Sequence, residues 1–233
     1  MKGTRPLMNE EICRVAACFE GTYAVRNRYL FIIGVSTGGR ISELLSLTLG
    51  DVYQNNRPVT DLLFDKSIVK GKETSRAVPI NADGRAAVLE IVKWHLEHYG
   101  EPLDKQRPLF PSRNGQGTQP MTRQNAHGAL KRAFEKAGLN GKLATHSLRK
   151  SYAQRLYEQT NDIYVVQEML GHKDVKTTQR YLGINYVKVR AASEAMGFSH
   201  KQQENKKAPS VDEAPDEELL AEVMRRGFNI SAK

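Results

Sequence analysis

Residues 170–184 read LGHKDVKTTQRYLGI and contain one histidine and one tyrosine nine residues apart, His172 and Tyr181. On a single straight helix with a rise of about 1.5 Å per residue, this spacing would separate the two residues by about 13 Å. A break near Lys173 and Asp174 would instead place the histidine at the end of one short helix and the tyrosine on the next. The stretch therefore predicts two short helical segments whose histidine and tyrosine can approach one point.

The positive charge of the chain is concentrated in its first 198 residues. These carry 29 lysines and arginines against 19 aspartates and glutamates, whereas residues 199–233 carry six against seven. Such an excess suits a polyanion such as nucleic acid, because basic side chains neutralise phosphates and release counterions. A solvated basic surface with no polyanionic partner would have the same composition.

The sequence argues against a metal centre, a disulfide framework and a membrane span. Cys13 and Cys18 are the only cysteines, and no Cys/His cluster accompanies them. His95 and His98 lie three residues apart, but without a third ligand nearby they are more typical of an exposed pair at a helix end. No apolar run approaches about 18 residues and no signal peptide opens the chain, which predicts a cytoplasmic protein.

Hydrophobic periodicity predicts a mainly helical chain with one small antiparallel sheet. The helical patterns cover residues 9–37, 40–52, 81–100, 121–139, 146–159, 162–172, 175–182 and 185–198. Asn81 is a candidate N-cap of its helix and Gly100 a candidate stop. The β-leaning runs 67–69 and 77–80 flank a lysine-rich tip, KGKETSR, and predict a hairpin.

The helical pattern of residues 121–139 is amphipathic. Its apolar positions form one stripe: Ala126, Leu130, Ala133, Phe134 and Ala137. Gln124, Lys131 and Arg132 lie off this stripe. The pattern predicts a helix that packs against the core along the stripe and exposes these three polar side chains.

Residues that can bind or transform a phosphate occur in four separate stretches. Arg40 follows a glycine pair at a predicted helix start, where free backbone N–H groups favour an anion. His146 and Arg149 lie one helical turn apart and can face one point. The hairpin tip adds Lys70 and Lys72, and the opening stretch adds its histidine and tyrosine.

Taken singly, each of these residues has an ordinary explanation. Arg40 could form a structural ion pair with Glu43, and His146 could cap a helix or lie in the core. A helical tyrosine such as Tyr181 most often packs against its neighbours. A lysine-rich tip is most often a solvated turn.

Together, the stretches resemble the tyrosine recombinases, the phage-integrase family of site-specific DNA strand-exchange enzymes. TGGRISELLSLTLGDV is similar to the first-arginine box of that family, and THSLRKSYAQRL is similar to its second box. VVQEMLGHKDVKTTQRYLGI resembles the closing box, with the nucleophile nine residues after the histidine. The resemblance extends over roughly residues 5–198. It implies the catalytic-domain fold of DNA breaking-rejoining enzymes over residues 1–198, followed by a linker and helical tail over 199–233.

The resemblance implies a nucleophile and its proton-transfer partners. Tyr181 would attack a DNA phosphorus and form a 3′-phosphotyrosyl link, leaving a free 5′-hydroxyl. Because a phenol has a pKa of about 10, a proton acceptor should assist it, and His146 is the candidate. Lys70 would protonate the departing 5′-oxygen, with Lys72 as the alternative. Tyr186 is a weaker rival for the nucleophile, because it breaks the nine-residue spacing.

It also implies a set of phosphate ligands. Arg40 and Arg149 would hold the non-bridging oxygens, because a planar guanidinium pairs well with phosphate. His172 would donate a further hydrogen bond to the phosphate. Glu43 and Asp51 match acidic positions of the first box and would orient helices or Arg40.

The implied reaction needs neither a metal nor ATP, because the phosphotyrosyl link conserves the bond energy, and the sequence contains no P-loop. The implied partner is double-stranded DNA in the nucleoid, bound by a homo-oligomer of up to four copies. Gln124, Lys131 and Arg132 become candidates for contacts in the major groove, with a solvated helix face as the alternative. The segment 215–228 would dock on a neighbouring protomer, dock on its own domain or stay disordered.

Two points stay open at this level. The family usually carries an N-terminal core-binding domain, whereas the resemblance here starts almost at Met1, so the chain is either naturally minimal or a fragment. The same catalytic residues also serve type IB topoisomerase-like enzymes, and the same fold could serve a catalytically silent DNA-binding regulator. The residues around His146 and His172 resemble those of recombinases, which argues against a topoisomerase-like enzyme. The complete set of catalytic residues argues against a silent regulator.

Overall fold

The structure of the chain, a computed structural model, describes residues 3–64, 75–183 and 186–196. Their helices are α1 (Asn9–Ala16), α2 (Ala24–Thr37), α3 (Ile41–Ser46), α4 (Leu49–Val52), α5 (Ala82–Tyr99), α6 (Arg123–Lys136), α7 (Thr145–Thr160), α8 (Ile163–Leu170), α9 (Val175–Leu182) and α10 (Tyr186–Ala195). The chain divides into two units between Ile184 and Asn185, so α10 belongs to the second unit. The domain boundary expected at residue 198 lies outside the described residues and stays a prediction.

The helix α2 is largely buried from Tyr29 to its end at Thr37 and lies at the centre of the first unit. Its buried apolar residues are Tyr29, Leu30, Phe31, Ile33 and Val35. α5 and α7 pack against it. α2 ends at Gly38, whose φ of +63° is the left-handed conformation typical of a helix C-cap. A Cβ at Gly38 would collide with the ring of Tyr152, so the absence of a side chain lets the end of α2 approach α7 closely.

Two antiparallel hairpins occur among the described residues, where the sequence predicted one. β1 (Tyr53–Gln54) pairs with β2 (Arg57–Pro58), and β3 (Asp61–Phe64) pairs with β4 (Arg76–Pro79). The first hairpin was missed, although Asn55 and Asn56 connect its strands with φ of +50° and +59°. Asparagine tolerates this conformation, and positive φ at both central positions is the mark of a type I′ turn.

The predicted hairpin corresponds to the second of these pairs: its strand over 77–80 is confirmed, and Arg76 at the end of its tip is corrected. β4 overlaps the predicted run 77–80, but its partner among the described residues is β3, whereas residues 67–69 lie outside them. Arg76, assigned to the solvated tip, is instead the first residue of β4 and is buried. Strand alternation explains this, because Arg76 lies on the same face of β4 as buried Val78.

The buried apolar residues form a large cluster and two smaller ones. The large cluster joins α2, α3, α5 and the hairpins, and the second joins α1, α2, α6 and α7. The predicted stripe of α6 is confirmed, since all five of its residues are buried. The third cluster, Ala153, Val166 and Leu170, ties α7 to α8 and has Tyr181 packed at its edge. This third cluster fixes the two helices of the opening stretch against α7.

The break predicted within residues 170–184 is confirmed. α8 ends at Leu170 and Gly171 follows in the left-handed region at φ +63°, where glycine is favoured. The Asp174 side chain then accepts a hydrogen bond from the backbone N–H of Lys176 at 2.9 Å and caps α9. Two other predicted helices are also divided: residues 9–37 form α1 and α2, and residues 40–52 form α3 and α4.

The ends of α5 agree with the predicted caps, but one histidine was placed wrongly. The Asn81 side chain accepts a hydrogen bond from the N–H of Gly84 at 2.9 Å, and the helix stops at Gly100. His95, expected in an exposed pair, is only 1% exposed and hydrogen-bonds through Nε2 to the Leu109 carbonyl at 3.0 Å. The loop that contains Leu109 covers this face of α5, which periodicity alone does not reveal. No helix within the described ranges has the length and apolar character needed to cross a membrane.

Candidate active site

The hydroxyl of Tyr181 lies 3.3 Å from Nδ1 of His146. Tyr181 is part of α9 and half-buried, whereas His146 lies in the first turn of α7 and is exposed. The ring of His172 meets the Tyr181 ring edge-on, with centroids 5.0 Å apart and an interplanar angle of 64°. The break between α8 and α9 therefore brings together the two residues of the opening stretch and adds a histidine from another helix.

The first turn of α7 keeps His146 in a cationic environment. Partial burial of the ring, followed by the charges of Arg149 and Lys150, lowers the pKa of His146 below its ordinary value. Nζ of Lys150 lies 5.7 Å from the centre of the Tyr181 ring and donates a hydrogen bond to the Thr4 carbonyl at 2.7 Å. His146 is therefore neutral at pH 7, with one ring nitrogen able to accept a proton.

A buried hydroxyl orients His172. Nδ1 of His172 lies 3.0 Å from Oγ1 of Thr178, a fully buried residue of α9. Burial of the ring, followed by the charges of nearby arginines, lowers the pKa of His172 to about 4. The ring is therefore neutral at pH 7. When Thr178 donates to Nδ1, the proton of the ring lies on Nε2, which becomes a hydrogen-bond donor.

Arg149 is a buried cation held by two helix ends. Its side chain is 2% exposed, Nη1 donates to the Gly38 carbonyl at 2.7 Å, and Nη2 donates to the Leu170 carbonyl. Its Nε has no hydrogen-bond partner among the described residues. Burial, and then the charges of Arg40 and Arg76, lower the pKa of Arg149 to about 10, so the guanidinium is charged at pH 7. The ends of α2 and α8 thus fix the orientation of this group.

Arg40 lies at the start of α3, as predicted, and Glu43 holds it there. The backbone N–H of Arg40 donates to Glu43 Oε2 at 2.7 Å, and Nη1 donates to Oε1 at 2.9 Å. Glu43 also receives two hydrogen bonds from Arg76, at 3.0 and 2.6 Å. Burial would raise the pKa of Glu43, but the hydrogen bonds and charge of Arg76, together with Arg40, lower it. Asp51 accepts hydrogen bonds from the N–H and hydroxyl of Thr48 and caps α4.

Three residues near these groups were missed by sequence reasoning. Arg76 has a detectable signal, because the alternation of residues 76–80 predicts that it faces inward with Val78. An inward arginine needs a buried anion or a set of carbonyls as its partner. Thr178 and Lys150 have no comparable local signal, because their contacts depend on how α7 and α9 pack.

The remaining predicted site residues are placed as follows. Lys70 and Lys72 lie outside the described residues. Tyr186 is the first residue of α10 in the second unit, but its side chain is not among those that the structure describes. The three polar residues of α6, Gln124, Lys131 and Arg132, are exposed, and Lys131 forms a 3.6 Å ion pair with Glu135. Within the described part of the chain, no group of three His, Cys, Asp or Glu side chains could hold a metal ion.

Comparisons with known proteins agree with this arrangement of motifs. The model of the phage integrase family matches residues 7–187. Tyrosine recombinase XerD of Halalkalibacterium halodurans is 31% identical over 170 residues, which are 72% of this chain and 52% of that protein. The probable integrase/recombinase YoeC of Bacillus subtilis is 30% identical over 172 residues, 74% of this chain and 85% of that protein.

A solved structure gives the same picture of the fold. The XerH site-specific recombinase, bound to palindromic difH substrate in a post-cleavage complex, superposes with a TM-score of 0.64 and 28% identity. The match covers 83% of this chain and 54% of that one. The chain spans about half the length of the XerD relatives that it matches.

Proposed function

The chain belongs to the phage integrase family, and on that premise we propose that it cuts and rejoins double-stranded DNA at specific sites through Tyr181. In the proposed reaction the Tyr181 oxygen attacks the scissile phosphorus while the bond from phosphorus to the 5′-oxygen breaks. The products are a 3′-phosphotyrosyl link and a free 5′-hydroxyl. Attack by a 5′-hydroxyl of another strand reverses these steps, releases the tyrosine and joins the new strand.

The observation that carries the proposal is the 3.3 Å separation between the Tyr181 hydroxyl and Nδ1 of His146. A phenol with a pKa of about 10 is a weak nucleophile at neutral pH unless a neighbour accepts its proton. The lowered pKa of His146 keeps the imidazole neutral, so it can accept that proton as the bond to phosphorus forms. In the rejoining step, His146 returns the proton to the departing tyrosine.

The other groups suit the charge that develops on the phosphate. Each terminal nitrogen of Arg149 carries two N–H groups, and only one from each goes to a carbonyl. In the proposed reaction the remaining N–H groups of Arg149 and the guanidinium of Arg40 bind the non-bridging oxygens of the phosphate. His172 adds a neutral donor through Nε2. Preorganised donors of this kind stabilise a transition state without reorganising as the reaction proceeds.

The leaving group and the wider assembly complete the proposal. Lys70, with Lys72 as the alternative, protonates the departing 5′-oxygen. Because the phosphotyrosyl link conserves the energy of the phosphodiester, rejoining needs no nucleotide and no metal. Exchange between two duplexes requires the cutting of four strands, which suits an assembly of up to four copies on DNA. In this proposal the exposed residues of α6, Gln124, Lys131 and Arg132, contact the major groove.

A covalent adduct tests the proposal. The protein is incubated with sheared genomic DNA of its source organism and quenched with denaturant, and the protein-linked fragments are sequenced to find the target. A duplex with this target and a nick beside the cleavage point then traps the intermediate. Cleavage releases a short fragment that bears the free 5′-hydroxyl, and once this fragment diffuses away the strand cannot be rejoined. We expect an adduct with the wild-type chain and none with Tyr181→Phe, whose DNA affinity stays within about twofold since only a hydroxyl is removed.

Other results of the same experiment would replace the proposal. No adduct despite specific DNA binding would indicate a DNA-binding regulator on this fold. Relaxation of supercoiled plasmids without preference for the captured sequence would indicate a topoisomerase-like enzyme. A large loss of DNA affinity in Tyr181→Phe would indicate that this tyrosine is structural.

A further inference from the structure

Arg76 makes directed contacts with two separate parts of the candidate site. Its side chain is 6% exposed, and its guanidinium lies over the Phe64 ring at 4.6 Å from the centroid. Nη1 and Nη2 donate to the two carboxylate oxygens of Glu43 at 3.0 and 2.6 Å, and Nε donates to the Met169 carbonyl at 3.0 Å. These bonds link the first residue of β4 to α3 and to the last turn of α8.

The first link leads to Arg40. Glu43 is 4% exposed, and the oxygens that receive Arg76 also receive the backbone N–H and Nη1 of Arg40. A buried carboxylate with a single arginine partner would be free to turn toward it. With Arg76 bound to both oxygens, the carboxylate plane is fixed, and so is the direction in which it holds Arg40.

The second link leads to His172. Arg76 bonds to Met169, and the next carbonyl, that of Leu170, receives Arg149. A Cβ built on Gly171 would lie 3.2 Å from Cδ of Arg76, so the Arg76 side chain packs directly against the turn that precedes His172. The backbone from which the His172 ring projects therefore rests on Arg76.

We propose that Arg76 is a positioning residue that holds Arg40, through Glu43, and the turn before His172 in the geometry needed for strand cleavage. This proposal rests on the proposed function. Lysine cannot replace Arg76 in this role, because one ammonium group cannot span both carboxylate oxygens and reach the Met169 carbonyl in a planar arrangement. A positioning residue can be distinguished from a purely structural one by the effect of its replacement. Replacing Arg76 should lower the cleavage rate without weakening DNA binding.

The test compares single-turnover cleavage of the nicked target duplex by wild type, Arg76→Lys and a matched control, Arg26→Lys. Arg26 is also buried, lies 4.3 Å from the centre of the Tyr23 ring and donates to a backbone carbonyl, that of Pro111. All assays are run well below the melting temperature of the least stable of the three proteins. We expect Arg76→Lys to cut at least about 30-fold more slowly, with DNA affinity within about threefold of wild type, and Arg26→Lys to cut at nearly the wild-type rate.

A double-mutant cycle with Arg40→Lys separates positioning from a general loss of structure. Because Arg76 also supports the turn before His172, the double variant Arg40→Lys/Arg76→Lys should cut more slowly than Arg40→Lys, but by a smaller factor than Arg76→Lys slows wild type. Equal losses of cleavage rate in Arg76→Lys and Arg26→Lys would overturn the proposal. The same would follow if Arg76→Lys slowed cleavage by the same factor in the Arg40→Lys background as in wild type. Should Arg76→Lys fail to fold, Glu43→Gln enters the same cycle in its place. A wild-type chain that forms no adduct contradicts the proposed function itself, and the role of Arg76 falls with it.

Discussion

Nδ1 of His172 lies 3.0 Å from the hydroxyl oxygen of Thr178, a side chain that is fully buried in α9. The contact crosses the break between α8 and α9, so it fixes a ring on one side of the turn to a helix on the other. A histidine that donates a hydrogen bond to a phosphate through Nε2 needs its proton on that nitrogen. The Thr178 hydroxyl meets this requirement when it donates to Nδ1, because the ring proton is then on Nε2.

Replacing Thr178 by valine should therefore impair cleavage without unfolding the protein. Valine has nearly the same shape as threonine, and only the hydroxyl is lost. Loss of one buried hydrogen bond, worth about 1 to 1.5 kcal/mol, corresponds to roughly a tenfold slower single-turnover rate. Thr178→Ser retains the hydroxyl and is expected to stay close to wild type. Equal rates for Thr178→Val and Thr178→Ser would show that the contact does not orient His172 for the reaction.

The pH dependence of cleavage should identify His146 as the proton acceptor. Its pKa lies below the ordinary value of about 6.5. The ring is therefore neutral at every pH above its lowered pKa. Over this range the cleavage rate should stay level, and it should decline only when the pH falls to the pKa of His146. In His146→Gln this acidic limb should disappear, and the slower rate should rise toward the phenol pKa of about 10. A variant that keeps the wild-type profile would exclude His146 from this role.

Arg149→Lys should cost more in rate than in DNA affinity. Lysine keeps the charge, but it cannot bond to the carbonyls of Gly38 and Leu170 and also present a planar pair of donors to the phosphate. Removal of one preorganised donor to a developing oxyanion slows enzymatic reactions by about 10²- to 10³-fold, and a loss of that size is expected in the single-turnover rate. Thermal melting of the same variant controls for unfolding. A rate within about threefold of wild type would mean that the positive charge alone accounts for the contribution of Arg149 to the cleavage rate.

His95 should make the folded state sensitive to acid. Burial, partly opposed by the hydrogen bond to Leu109, lowers the pKa of His95 to about 4, against about 6.5 in an unfolded chain. Between these values the unfolded chain binds the extra proton, so the contribution of His95 is complete above pH 6.5 or so and is lost as the pH falls toward about 4.

Denaturant unfolding at two pH values tests this contribution. Between about pH 7 and pH 5, His95 should account for a loss of about 2 kcal/mol in the free energy of unfolding. His95→Gln retains a donor for the Leu109 carbonyl but does not titrate, so its stability should decline less over this range. An equal decline in wild type and His95→Gln would contradict this assignment.

The parts of the site that sequence reasoning anticipated depend on local spacing. The break between His172 and Tyr181 follows from Gly171 and Asp174, which stop one helix and cap the next. The pairing of Arg40 with Glu43 spans three residues, and it follows from the capping geometry of α3. Such contacts require only that the local helix forms, so a sequence pattern is sufficient to predict them.

The parts that were missed depend on segments far apart in the chain. Arg76 bonds to Met169 across 93 residues, and Arg149 bonds to Gly38 across 111. His95 was expected at the surface because helical spacing does not reveal that the segment containing Leu109 packs over it. Each of these contacts is decided by tertiary packing, which the periodicity of one segment does not encode.

The central claim is that Tyr181, whose proton His146 accepts, becomes covalently joined to DNA. Its most direct measurement is peptide mass spectrometry of the trapped adduct after digestion with protease and nuclease. We predict a nucleotide mass on the tyrosine of the peptide that contains Tyr181, and no such mass when Tyr181→Phe is treated in the same way. A modification on Tyr186, or an adduct that persists in Tyr181→Phe, would contradict the account.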